Sequence, residues 1–235
     1  MTINWTIILV LVLAYIIGSI PFGLIVVYFI NGKDIRKVES GRTGGTNAMR
    51  AAGFIAGALT AILDAAKGFS MLFLLKAFGI DLVWVKVLAP IMVVLGHNYS
   101  LFLIEKRHDN KLKLRGGAGG APAFGGAMSL WPPVIFILLP AVAAVFWFVG
   151  YASVTTLSIA GGATLIFLVR ALLGVGPWEY VIYGVLAFLV CAWALRPNLE
   201  RLRKGTERKV GLPALKAKRA AAAASSEQRA NSPAK

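Results

Sequence analysis

Charged residues are scarce in this chain and unevenly placed. Only 15% of the 235 residues are charged, and ten of these are acidic. No charged side chain occurs before Lys33, and none occurs in the 54 residues from Gly116 to Val169. Hydrophobic residues make up 58% of the chain. Because a soluble domain of this size needs a more polar surface, the composition excludes that class and predicts an integral membrane protein.

Cysteine is almost absent, and negative charge is far outweighed by positive charge. The single Cys191 excludes an internal disulfide, and the net charge is +15. All but four of the 25 Lys and Arg residues lie in segments 31–50, 105–120 and 196–235. Such clusters are typical of Lys and Arg retained on the cytoplasmic side of a membrane. We therefore expect a lipid bilayer, and no nucleic acid, as the partner, with all three segments cytoplasmic.

The apolar stretches predict the helices. They cover residues 5–29, 53–78, 82–104, 119–130, 134–149, 154–172 and 178–195. Segment 119–130 is too short to cross ~30 Å of hydrocarbon alone, so we expect it to pack among the others. Segments that share one side of the membrane are separated by an even number of spans. The prediction is an all-α polytopic membrane protein of about seven transmembrane helices, with its amino terminus outside.

Two domains are expected from the same pattern. Residues 1–205 form the membrane domain, and residues 206–235 form a basic, disordered cytoplasmic tail. The sequence contains no internal repeat, so a transporter built from inverted repeats is not favoured.

Two loops carry residue types that bind anions. Between the first two spans, glycines alternate with Ser40, Thr46, Asn47 and three arginines, a combination that suits a phosphate. Residues 115–120 read Arg-Gly-Gly-Ala-Gly-Gly, a run whose backbone N–H groups can converge on an anion. A solvated loop explains the first segment equally well, and close helix packing explains the second.

Polar residues inside the spans are few. His97 is either a helix–helix contact or a functional group. Asp64 and Lys67 lie three residues apart on one helix face, which predicts a structural ion pair. The start of the tail, around Asn198 to Glu207, predicts an amphipathic helix on anionic lipid.

Taken together, these segments resemble the bacterial acyl-phosphate:glycerol-3-phosphate acyltransferase family, a small membrane type with seven spans. The resemblance covers nearly the whole chain except its last 25 or so residues. The matching pieces, in order, are Gly18-Ser19-Ile20-Pro21-Phe22-Gly23, Asp34-Ile35-Arg36, Ser40-Gly41, Gly44, Thr46-Asn47, Arg50, Asp64, Lys67-Gly68, Gly96-His97-Asn98, Arg115-Gly116-Gly117, Gly119, Asn198, Arg201-Leu202 and Gly205-Thr206-Glu207.

The resemblance implies transfer of an acyl group from acyl phosphate to glycerol 3-phosphate, giving lysophosphatidic acid for phospholipid synthesis. It implies a bacterial cell membrane and no metal, cofactor, coenzyme A or acyl-carrier protein. The implied catalytic residues are Ser40, Arg50 and Asn198. The implied substrate-binding residues are Thr46, Asn47, His97, Arg115, Gly116, Gly117, Gly119 and Glu207.

The chain departs from the family pattern at three positions and has an insertion at about residues 105–113. Ala118 stands where the family has lysine, Leu195 where it has histidine, and Arg42 where it has asparagine. An alternative to an active enzyme is therefore a non-catalytic paralogue that binds phospholipid precursors or supports a membrane complex. A compensating cation from Arg42, Arg115 or Lys113 is a further hypothesis.

Overall fold

The computed structural model describes residues 5–106, 110 and 112–230, which form a helical bundle with one small hairpin. The predicted all-α class is thereby confirmed, and the two three-residue strands are a minor addition. The helices are α1 (Trp5–Ser19), α2 (Phe22–Asn31), α3 (Gly45–Phe69), α4 (Met71–Ala77), α5 (Val83–Asn98), α6 (Gly120–Leu130), α7 (Val134–Ala144), α8 (Ala152–Leu172), α9 (Glu179–Ala194), α10 (Arg196–Arg203) and α11 (Gly211–Ala230). A 3₁₀ turn (Ile35–Lys37) precedes α3, and a π-helical turn (Val145–Val149) extends α7.

Among the residues that the structure describes, three helical segments are long and apolar enough to cross a membrane. They are Trp5–Asn31, Gly45–Ala77 and Ala152–Leu172. The pair α9 and α10 gives a fourth if its 71° bend lies within one span, while Val83–Asn98 and Val134–Val149 are shorter apolar helices. Helix α6 has 11 residues, and at 1.5 Å per residue it is too short to cross alone. The count of seven crossings stays a prediction.

The third predicted span ends earlier in the structure than the sequence indicates. The third span was expected to reach Ile104, but α5 ends at Asn98. Its continuation turns and pairs with the chain after the insertion, since Ser100 N–H donates to Arg115 O at 3.0 Å. The insertion itself is an antiparallel hairpin of β1 (Ile104–Lys106) and β2 (Leu112–Leu114), with residues 107–109 and 111 outside the described set.

The main hydrophobic core lies between α5, α6, α7, α8 and α9. It includes Val94, Ala123, Phe167 and Tyr183, all at most 1% exposed. The Tyr183 hydroxyl donates to the Ala123 carbonyl at 2.7 Å, which satisfies the buried phenol. This core holds the start of α6 against α8 and α9.

The tail differs from the predicted disorder over part of its length. Residues Gly211–Ala230 form α11, because alanine, lysine and arginine are strong helix formers. Its start is fixed by a β-bridge between Tyr151 and Lys209 and by Val210 N–H donating to Gly150 O at 2.8 Å. Residues 231–235 lie outside the described set.

Candidate active site

The three basic segments of the sequence meet at one end of the bundle. Thr43 N–H donates to the Gly116 carbonyl at 3.3 Å, which joins the loop before α3 to the glycine loop before α6. The Arg42 guanidinium donates to Gly117 O at 2.7 Å and also to Ala194 O, at the end of α9. Their meeting agrees with the predicted common side, although the cytoplasmic orientation itself stays a prediction.

A cavity of about 440 Å³ opens where these segments meet. Seven predicted site residues line it, and four do not. Those lining it are Ser40, Thr46, Asn47, Arg50, His97, Gly119 and Asn198. The four that are not in its lining are Arg115, Gly116, Gly117 and Glu207.

Two arginines give the cavity its positive charge. Arg42 and Arg50 both line it, and no carboxylate among the described residues lies within 4 Å of either guanidinium. Burial lowers the pKa of the Arg42 guanidinium, and nearby Arg201 acts in the same direction. A buried cation without a counter-ion is stabilised by an anion, and a guanidinium fork matches phosphate oxygens.

The loop that carries Arg42 is organised by Asn47, in the first turn of α3. Its amide nitrogen donates to the carbonyls of Ile35 at 3.2 Å, Val38 at 3.0 Å and Arg42 at 2.9 Å. Asn47 Nδ2 therefore shapes the loop, and only Oδ1 lacks a partner among the described atoms.

The same loop is anchored at its start by Asp34. This carboxylate accepts from Arg36 N–H at 2.9 Å and pairs with its guanidinium, which lowers the pKa of Asp34. Both contacts fix the 3₁₀ turn that precedes the cavity-lining residues.

The glycine loop packs tightly against the end of α5. Gly117 N–H donates to the His97 carbonyl at 2.9 Å, and a Cβ on Gly117 would overlap the His97 ring. A Cβ on Gly116 would meet the same carbonyl and Asn98. Gly116 and Gly117 thus make packing contacts, and their predicted substrate contacts stay a prediction. Gly119, at φ +87°, caps α6 and does line the cavity.

Arg115 is also directed away from the cavity. Its Nε lies 2.6 Å from Glu105 of the hairpin, and Glu105 is 3.9 Å from Arg36. Because its charge is paired with Glu105 of the insertion, Arg115 is disfavoured among the three candidates for a compensating cation.

Glu207 lies behind the cavity wall and holds two residues of that wall. Its carboxylate accepts from Ser153 Oγ at 2.6 Å and from Asn198 Nδ2 at 3.2 Å. The residue is 7% exposed. Its geometry is that of a positioning residue for Asn198 and not of a direct substrate ligand.

The deep side of the cavity carries a buried charged cluster. Lys67 Nζ lies 2.9 Å from Asp64 Oδ1 and 3.2 Å from His97 Nδ1, and Asp64 and His97 line the cavity. Lys67 also donates to the Gly18 and Ile20 carbonyls at 2.9 Å each. Gly18 lies in the last turn of α1, whose carbonyls lack intrahelical donors, and Ile20 follows the helix end, where its carbonyl also accepts from Phe22 N–H at 3.1 Å. The predicted Asp64–Lys67 ion pair is confirmed.

An apolar wall continues from the polar end to the outer surface of the bundle. It includes Phe54, Ile62 and Leu139, which are 76%, 63% and 51% exposed in the isolated chain. Phe124 and Ile159 complete this wall from α6 and α8. An alkyl chain entering from lipid can therefore lie against it with its polar end at the arginines.

Hydroxyl groups at the start of α8 were missed from the sequence. Ser153, Thr155 and Thr156 line the cavity beside Asn198. The sequence could have indicated them, because three hydroxyl residues cluster at the start of an otherwise apolar predicted span. Polar groups in membrane spans often have a functional role. The arrangement combines anion-binding cations, hydroxyl and amide groups, and a lipid-facing apolar wall.

Known proteins show the same combination of sequence and fold. The glycerol-3-phosphate acyltransferase family profile matches residues 8–205. A glycerol-3-phosphate acyltransferase of Thermus thermophilus is 36% identical over 207 residues, covering 88% of this chain and 94% of that protein. Glycerol-3-phosphate acyltransferase 2 of Moorella thermoacetica is 36% identical over 203 residues, covering 86% and 97%.

A solved structure agrees with these relatives. The crystal structure of PlsY, an integral membrane glycerol 3-phosphate acyltransferase, in its glycerol 3-phosphate form has a TM-score of 0.74 to this chain. The two sequences are 30% identical, with 87% of this chain and 96% of that chain covered. The profile match, the sequence identities and the shared membrane fold show that this chain belongs to the glycerol-3-phosphate acyltransferase family.

Proposed function

We propose that this chain transfers an acyl group from acyl phosphate to glycerol 3-phosphate, forming lysophosphatidic acid and phosphate. The observation that carries the proposal is the single cavity with two arginines at one end and a lipid-facing apolar wall at the other. Each substrate bears a phosphate, and the donor also bears an alkyl chain. The arginines suit the phosphates, and the apolar wall of the same cavity suits the alkyl chain.

The arginines and the polar lining have separate proposed roles. Arg42 and Arg50 neutralise the substrate phosphates, since a charge-assisted hydrogen bond is worth about 1.5–3 kcal/mol. Ser40 and Asn198 orient the reacting groups, and Thr46 with Gly119 completes the contact surface. Ligand positioning supplies much of the rate when a reactive donor is held beside its acceptor.

The reaction needs no protein nucleophile. The oxygen of a glycerol 3-phosphate hydroxyl attacks the acyl carbon, the bond from that carbon to the phosphate oxygen breaks, and phosphate leaves. The hydroxyl proton passes to the departing phosphate, so atoms and charge balance without an acyl-enzyme. Arg42 and Arg50 stabilise the negative charge that moves onto the leaving group.

The same proposal covers the placement of the chain. Residues 1–205 form the acyltransferase domain in a bacterial cell membrane, with the amino terminus outside and residues 206–235 in the cytoplasm. Support comes from the three basic segments that meet at the cavity end, because Lys and Arg favour the cytoplasmic side. Reporter fusions at the carboxyl terminus test this, and a tail found outside contradicts it.

The proposed function is tested with purified protein and three acyl donors. Acyl phosphate is expected to support lysophosphatidic acid formation, whereas acyl coenzyme A and acyl-carrier protein are not. Arg50→Ala is expected to lower kcat/KM by about tenfold or more, because a charge-assisted phosphate contact is lost.

Arg203→Ala is the matched control. Arg203 lies at the exposed end of α10 and is not in the cavity lining, so its loss removes one charge from the same face. Its activity is expected to match that of the parent. Equal loss in both variants, or acyl transfer from coenzyme A alone, contradicts the assignment.

A further inference from the structure

The three departures from the family pattern lie together in space. Ala118 and Leu195 both line the cavity, beside Arg42. Arg42 donates to the carbonyl of Gly117, immediately before Ala118, and to the carbonyl of Ala194, immediately before Leu195. One guanidinium therefore bridges the two positions where the family's lysine and histidine are missing.

The Arg42 guanidinium retains donors for a ligand. A guanidinium has five N–H groups, and two of those of Arg42 are used on the two carbonyls. The side chain lines the cavity and, among the described residues, has no carboxylate within 4 Å. Burial lowers the pKa of Arg42, which means that the buried charge gains from an anion beside it.

We infer that Arg42 binds a substrate phosphate beside Arg50, and that it supplies from position 42 the positive charge that the family's lysine supplies at position 118. This inference rests on the proposed function and names the group that serves it in this chain. The small Ala118 and the apolar Leu195 leave room for the guanidinium. The two carbonyl contacts fix its orientation and tie the glycine loop to the end of α9.

If Arg42 replaces the family's lysine, the effect on phosphate binding of a substitution at position 118 depends on the residue at position 42. Arg42→Asn restores the family residue but leaves the cavity without its cation at this place, so phosphate binding falls. Adding Ala118→Lys to Arg42→Asn returns a cation and restores binding. Ala118→Lys in the parent places two cations side by side and gives no gain, because like charges repel.

Phosphate binding is measured first, without turnover. The single Cys191 is buried, so the temperature at which it reacts with a maleimide dye reports unfolding. Stabilisation by inorganic phosphate gives a binding constant for each variant. Arg42→Asn is expected to weaken it about tenfold or more.

Arg196→Asn is the matched control. Arg196 lies one residue past Leu195, is exposed, and stacks on Trp193 outside the cavity lining. It removes the same charge at the same junction and is expected to leave phosphate binding unchanged. Equal weakening in Arg42→Asn and Arg196→Asn overturns the inference, as does full binding in Arg42→Asn.

Kinetics with acyl phosphate and glycerol 3-phosphate give the second measurement. Arg42→Asn is expected to raise the KM of a phosphorylated substrate, and the pair Arg42→Asn with Ala118→Lys is expected to return it toward the parent value. Arg42→Lys keeps the charge but cannot hold both carbonyls, so KM changes little while kcat falls. A purely structural Arg42 would instead leave KM unchanged in every variant with the parent's thermal stability, and that result overturns the inference.

The inference and the proposed function fail in different ways. A parent that binds phosphate through Arg42 but forms no product supports the inference and overturns the proposed enzyme. If the parent is active and the Arg42→Asn variant is equally active, the inference is overturned and the proposed enzyme activity stands.

Discussion

Replacing Lys67 with methionine is expected to destabilise the bundle strongly, because this one amine has four partners. It contacts Asp64 at 2.9 Å and His97 Nδ1 at 3.2 Å, and it donates to the Gly18 and Ile20 carbonyls at 2.9 Å each. Removing one member of a buried ion pair costs about 3–5 kcal/mol. The Gly18 carbonyl loses its Lys67 donor, which adds a further penalty of about 1–3 kcal/mol that is not fully additive, whereas the Ile20 carbonyl keeps Phe22 N–H. The expected loss is therefore at least about 3 kcal/mol.

The assay is equilibrium unfolding in detergent micelles, followed by the reaction of buried Cys191 with a maleimide dye. Lys86→Met is the matched control. Lys86 pairs with Asp81 at 2.5 Å, but that carboxylate side chain is 97% exposed. Exposed pairs contribute about 0–1 kcal/mol, so the control is expected to unfold nearly as the parent does.

The double variant Asp64→Asn with Lys67→Met tests the cause. It leaves no unpaired charge inside the bundle, so it is expected to be more stable than Lys67→Met alone. A loss below about 1 kcal/mol in Lys67→Met, or a double variant less stable than that single variant, would refute the reasoning.

Three further outcomes are expected. Gly117→Ala forces a Cβ into the His97 ring, so thermal stability and activity should both fall, and a variant with both unchanged contradicts this close packing. Glu207→Ala should lower kcat about tenfold or more through loss of its contact to Asn198, and a variant with full kcat contradicts that positioning role. The pKa of Asp34 is lowered in the folded state, so its contribution to stability is present above its unfolded pKa and lost as pH falls through the folded value. Asp34→Asn should remove that part of the pH dependence of unfolding, and an unchanged acid limb contradicts it.

The sequence predicted the parts of the site that follow from charge and hydropathy. The three basic segments were expected on one side, and the structure joins them through Thr43, Arg42 and their carbonyl partners. The sequence groups Arg50 and Asn198 with Gly116 and Gly117 in one site; Arg50 and Asn198 line the cavity, and the two glycines do not. These features follow from the charge and hydropathy of neighbouring residues, which can be read from a single sequence.

Other features depend on contacts between distant residues, and these were not predicted. A glycine run is compatible with a bound anion or with a neighbouring side chain, and only the fold shows His97 against Gly117. Arg42 reaches carbonyls 75 and 152 residues away, so its position could not be inferred from spacing. The pairing of Arg115 with Glu105 likewise depends on the hairpin.

The most direct test of the central claim is a rapid-mixing experiment on the purified parent protein with acyl phosphate, in the presence and absence of glycerol 3-phosphate. Direct transfer between bound substrates predicts lysophosphatidic acid and phosphate in a one-to-one ratio, and neither product when glycerol 3-phosphate is omitted. A burst of phosphate with acyl phosphate alone, accompanied by an acylated protein, would contradict the absence of a protein nucleophile. No lysophosphatidic acid from folded protein with both substrates would contradict the proposed activity itself.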